Sequence, residues 1–151
     1  MRFDHMELTV PVGTLTTTLR REIDDFYGSI FGWSGFDIDV AGRPCRLLMC
    51  GSDQFIQLLE SELPVQSPGS DHLGLLLDSR QDVDDALAAC ERYAESDDRV
   101  SIERRQDLAY PGLTVHTFYV KYLLPISFDV HSQEPSSNPA LTTKDMPPAS
   151  R

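Results

Sequence analysis

"FDHMELTV" (residues 3–10) and "SDHLGLLLDS" (residues 70–79) each set an Asp-His pair at the mouth of an extended, apolar-rich stretch. The two histidines, His5 and His72, stand 67 positions apart in a chain of 151 residues. Strand side chains alternate with period two, so Met6, Leu8 and Val10 share one face while His5, Glu7 and Thr9 share the other. In the second stretch Leu73, Leu75 and Leu77 alternate in the same way with His72 and Gly74. One histidine at a strand end is ordinary packing. Two in equivalent places point to a repeated unit.

The chain between them supports that reading. "TLTTTLRREIDDFYGSIFGW" (14–33) places Leu15, Leu19, Ile23, Phe26 and Ile30 at helical spacing, with Gly32 as a stop. "FDIDV" (36–40), "CRLLM" (45–49) and "FIQLLE" (55–60) read as strands separated by the turns "AGRP" and "GSD". A linker with two prolines and a glycine, "SELPVQSPGS" (61–70), follows, and then the order restarts. Ser79 is placed to cap a helix whose Val83, Leu87, Cys90 and Ala94 form a stripe. "VSIER" (100–104), "LTVHTFYV" (113–120) and "PISFDV" (125–130) supply three more strands. The spacing predicts two βαβββ modules, 1–61 and 70–133, in a single domain over 1–133. Residues 134–151 are rich in proline with little to bury, and are expected to form a disordered tail.

Composition narrows the function classes. Asp plus Glu is 24 against 13 for Lys plus Arg, a net charge of −11 that disfavours nucleic acid and anionic membranes. No apolar run approaches the roughly 20 residues of a membrane span. Acids and a histidine occupy the place of a signal-peptide core, so the cytoplasm is the expected compartment. The odd separation of Cys45 and Cys50 puts them on opposite strand faces, and with Cys90 they read as small packing residues.

Paired βαβββ modules that each open on a histidine strand resemble the vicinal oxygen chelate superfamily. That group includes glyoxalase I, methylmalonyl-CoA epimerase, extradiol dioxygenases and fosfomycin-resistance transferases. "FYGSIFGW" (26–33), "DHLGLLLDS" (71–79) and "FYVKYLLPISFDV" (118–130) are similar to the first helix end, the second-module opening and the closing hairpin of its members. The resemblance implies a glyoxalase-like α+β fold, a curved, mostly antiparallel eight-stranded sheet built from the two modules. It also implies a metal held by His5, Gln57, His72 and Asp129, where many members carry Glu in place of Gln57 and Asp129. Two imidazoles, an amide and a carboxylate suit a divalent transition metal (Fe, Ni, Co, Mn or Zn) better than Ca or Mg.

The activity implied is lyase or isomerase chemistry of the glyoxalase and epimerase type on a small substrate bound through two vicinal oxygens. Asp129 or Glu7 would move the proton. Arg46, His116 and Tyr119 are candidate substrate-binding residues. His116 and Tyr119 differ by three positions, so on a regular strand only one faces the cavity. His131 reads as a rim residue, and Gly74 as room beside the metal. An Fe(II) extradiol dioxygenase using His5, His72 and Asp129 is the enzyme alternative. A metal-free protein that binds an antibiotic or other drug is the alternative from a different class. A homodimer is expected in each case.

Overall fold

The computed structural model describes residues 3–136. The strand that opens each module is followed by a helix whose ends are set by local chemistry. The Thr16 hydroxyl accepts from the Leu19 N–H and caps α1 (Thr17–Phe31). Gly32 closes it in the left-handed region at φ 69°, where a side chain would be strained. Ser79 caps α2 (Arg80–Ala94) in the same way, accepting from the Asp82 N–H.

Around these helices lie two sheets of matching topology. The first runs β1-β4-β3-β2, from β1 (His5–Pro11), β2 (Ser34–Val40), β3 (Arg43–Met49) and β4 (Phe55–Ser61). The second runs β5-β9-β8-β6, from β5 (His72–Leu76), β6 (Ser101–Arg104), β8 (Leu113–Lys121) and β9 (Ser127–Pro135). In each, the first strand pairs parallel with the last and the other neighbours pair antiparallel. The short β7 (Leu108–Tyr110) also pairs with β8, against Leu113–Val115, while β6 pairs with Phe118–Lys121. One strand position is thus broken into two, which makes nine strands rather than eight among the described residues. The strands form two hydrogen-bonded sheets rather than one continuous eight-stranded sheet. β9 continues to Pro135, two residues past the expected module end, and the remainder of the expected tail lies outside the described residues.

Both sheets turn their apolar faces to the helices and share one core. Leu8, Leu48 and Leu58 of the first sheet join Phe118, Phe128 and Val130 of the second, with Ile23 and Phe26 of α1 and Val83 and Cys90 of α2. Tyr27 is fully buried, stacks on Trp33 at 5.1 Å and donates its hydroxyl to the Tyr122 carbonyl at 2.9 Å, tying α1 to the second module. Burying each such ring stabilises the fold by about 1.5–3 kcal/mol. Among the described residues no helix is long and apolar enough to cross a membrane.

Candidate functional site

The faces turned away from the core carry the ligand-type residues. In the second sheet Gly74 sits opposite Asp129, and Asp129 sits opposite Tyr119, so these positions share one face with His72 and Thr117. His72 Nδ1 lies 2.7 Å from the Ser70 carbonyl. A carbonyl only accepts, so Nδ1 carries the proton and Nε2 keeps its lone pair in the neutral ring. That Nε2 is 3.8 Å from Oδ2 of Asp129. At this distance there is no direct hydrogen bond, and the lone pair and the carboxylate face each other across a gap of the size a bridging cation fills. The carboxylate is held from the side by the Thr117 hydroxyl, which donates to Oδ1. Tyr119 presents its ring edge-on to His72, with centroids 5.2 Å apart. Burial raises the Tyr119 pKa, and the nearby Asp129 charge adds to the effect.

The first sheet builds a second, smaller group. His5 Nδ1 meets the Asp4 carboxylate at 2.8 Å, so its Nε2 is again the free nitrogen. Its ring stacks on Phe55, directly opposite it in β4, at 4.9 Å. Glu7 is likewise opposite Gln57, whose Nε2 donates to Glu7 Oε2 at 3.3 Å. The amide is thereby oriented through its nitrogen while its oxygen takes no part in that bond. Gln57 is buried and Glu7 exposed.

Of the expected substrate-binding residues, only Tyr119 shares this side of its sheet. Arg46 pairs in register with Leu58 and so faces α1. There its guanidinium meets Asp24 of the helix and Asp37 of β2, the latter at 3.1 Å. Such a doubly paired, buried guanidinium pins α1 to the sheet. His116 pairs with the fully buried Ser132 on the core side of β8. Its Nδ1 is 2.9 Å from Asp107 and its Nε2 3.5 Å from Glu134. Neither residue approaches the His72 and Asp129 face.

Two further side chains border Asp129. His131 is not on the rim: its ring is mostly buried, with Nδ1 3.6 Å from Asp129 Oδ2 and 3.2 Å from the Asp129 carbonyl. A Cβ on Gly74 would stand 3.3 Å from His131 Cε1, so the space glycine leaves is taken by this imidazole. Thr117, on the neighbouring strand, carried no signal of its own in the sequence.

Among the described residues, no three His, Cys, Asp or Glu side chains gather closely enough to hold a metal ion. The donors form two half-sets, His5 with Gln57 on one sheet and His72 with Asp129 on the other. Their chemistry fits a divalent ion, since both histidines are fixed in the tautomer that leaves Nε2 free, and Asp129 is oriented by a hydroxyl.

Two sheets of β-first, helix, β-β-β order with these faces define the vicinal oxygen chelate, or glyoxalase-like, fold. Solved structures agree. A protein described as glyoxalase family from Bacillus anthracis superposes with a TM-score of 0.60 at 17% identity, covering 89% of this chain and 96% of that one. An integron cassette protein from V. cholerae gives 0.56 at 22% identity, over 87% and 94% of the two chains. A fosfomycin resistance protein, FosX from Listeria monocytogenes, in complex with Mn(II) and a dihydroxypropylphosphonic acid, gives 0.56 at 13% identity over 86% and 90%. No family model and no curated protein sequence matches this chain.

Proposed function

We propose that the protein is a metal-dependent enzyme that binds a small substrate through two neighbouring oxygens and moves a proton in a lyase or isomerase reaction. The observation that carries this reading is the His72 Nε2 lone pair facing the Asp129 carboxylate at 3.8 Å, with each group fixed by its own hydrogen bond. A divalent transition metal (Fe, Ni, Co, Mn or Zn) would be held by His5, Gln57, His72 and Asp129, and it would supply Lewis-acid stabilisation of negative charge on a substrate oxygen. Glu7, beside Gln57 and exposed, is the group free to take a proton from substrate carbon. Tyr119 borders the substrate space next to His72. FosX with its Mn(II) supports metal use at such a fold. Arg46 and His116 have no part in this reading.

The two half-sets come together through a second copy of the chain. The core faces of both sheets are already covered by the shared helix layer. Their ligand-bearing faces instead leave Phe36, Leu76, Leu108 and Tyr110 exposed. Pairing those faces between two chains buries this apolar surface and brings the donors of both sheets to one ion.

Metal analysis of the purified wild type against His72→Ala, Asp129→Ala and His5→Ala tests the reading. About one divalent ion per chain is expected in the wild type and a large loss in each variant. A wild type that takes up no transition metal would sink it. If the ion is Fe(II), oxygen uptake with catechols distinguishes the dioxygenase alternative from proton transfer.

A further inference from the structure

The outer edge of the second sheet carries a cation on its ligand-bearing side. β6 pairs antiparallel with β8, with Glu103 opposite Tyr119. Glu103 and Tyr119 therefore belong to the face that holds His72 and Asp129, and Arg105, two residues on, has the same parity. Arg104 shows the alternation. It turns to the helices, where its Nε donates to Glu91 of α2 at 2.8 Å. Arg105 instead sets its guanidinium carbon over the Tyr119 ring, 5.3 Å from the centroid. The same ring meets His72 with centroids 5.2 Å apart. One tyrosine thus stands between the guanidinium and the imidazole. Arg105 Nη2 also meets Glu103 Oε1 at 2.9 Å, and both side chains of that pair are half exposed or more. An exposed pair of this kind contributes at most about 1 kcal/mol, so it leaves the guanidinium open to a better partner.

We propose that Arg105 sets the substrate class by binding a carboxylate that the substrate carries beyond its two chelating oxygens. This deepens the function proposed above and rests on it. A metal grips any pair of neighbouring oxygens, so selection among substrates comes from the walls around it. Here Tyr119 offers an apolar face, and Arg105 offers a fork of N–H donors that matches a planar carboxylate. The ring also restricts a long side chain that would otherwise lose its rotamer freedom on binding. It fixes the reach as well, because a single ring with its two contacts separates the guanidinium from His72. A short aliphatic spacer between the chelating oxygens and the carboxylate spans that gap.

The test uses hydroxamates, which chelate a metal through two neighbouring oxygens, with binding to the Zn(II)-loaded protein read by calorimetry. Acetohydroxamate carries no second group and reports on chelation alone. Succinic acid monohydroxamate adds a carboxylate, and the hydroxamate of succinamic acid replaces that carboxylate with a neutral amide of the same shape. The wild type is expected to prefer the carboxylate over the amide about five- to tenfold. Arg105→Gln is expected to bind the two equally and to keep the wild-type affinity for acetohydroxamate. Glu103→Gln releases Arg105 from its present partner and is expected to enlarge the preference. Equal binding of carboxylate and amide by the wild type overturns the proposal. So does a weakening of all three ligands in both variants, which would mark the Glu103–Arg105 pair as structural. A wild type that takes up no Zn(II), or binds no acetohydroxamate, overturns the chelation reading and this inference with it.

Discussion

At the scale of single residues, the question is what aims a carboxylate. Asp129 stands on β9 between a histidine on each side, His72 at 3.8 Å and His131 at 3.6 Å. Neither contact fixes its rotation as firmly as the Thr117 hydroxyl does. Thr117→Val keeps the volume and β-branching but removes the hydroxyl. Losing such an orienting partner typically costs 10–100-fold in metal affinity. We expect Mn(II) affinity by calorimetry to fall within about that range while the circular dichroism spectrum is retained. An affinity equal to wild type would mean that Asp129 needs no such partner. The reach of Thr117 to Asp129 was not legible in the sequence, because it runs diagonally across two strands that meet only in the folded sheet. The choice between His116 and Tyr119 was half legible. Their three-residue spacing placed them on opposite faces, but only the packing of β8 decided which face met the helices.

At the scale of elements, the strand and helix order was legible because period-two and period-3.6 patterns succeed each other twice, with Thr16 and Ser79 as caps. What was hidden was the facing of β3. "RPCRLLM" carries leucines at successive positions, so its alternation does not say which side meets α1. The register with β4 does, and it sends Arg46 to the helix. The cluster there is tight. A Cβ on Gly35 would collide with the Asp24 carboxylate and the Arg46 guanidinium. Gly35→Ala therefore pushes apart the ends of two side chains, the part-buried Asp24 carboxylate and an Arg46 guanidinium that keeps Asp37. We expect a loss of roughly 1–2 kcal/mol by urea denaturation. Gly74→Ala, whose contact is only the movable edge of His131, is expected to cost less than about 1 kcal/mol. Equal losses would show that the Arg46 cluster yields as easily as a single ring.

At the scale of the whole molecule, the joint between modules is titratable at one end of the pH range and the core at the other. Asp97 accepts from Arg99 and from the Tyr122 hydroxyl, and Arg99 reaches across to Glu22 of α1 at 3.0 Å. The Arg99 bond, followed by the Tyr122 bond, holds the Asp97 carboxyl well below the usual range. Asp107, paired chiefly with His116, is lowered in the same sense. A carboxyl depressed by folding stabilises the native state above its unfolded pKa near 4, and that contribution is lost as the pH falls through the folded value. Burial pushes the Cys50 thiol up to about 11 and the Cys90 thiol up to about 12. For these the sign reverses. The native state keeps protons that the unfolded chain gives up above about 8.5, so stability falls as the pH rises from there toward the folded values. Urea midpoints are therefore expected to be flat between about pH 5 and 8 and to decline on both sides. Asp97→Asn should flatten the acid limb and leave the alkaline one unchanged. The same burial predicts slow thiol chemistry. At pH 8 the folded chain should react with a disulfide reagent far more slowly than the unfolded chain, which exposes all three cysteines. Rapid native reaction at Cys50 or Cys90 would mean that the seam between the modules opens on the timescale of the assay.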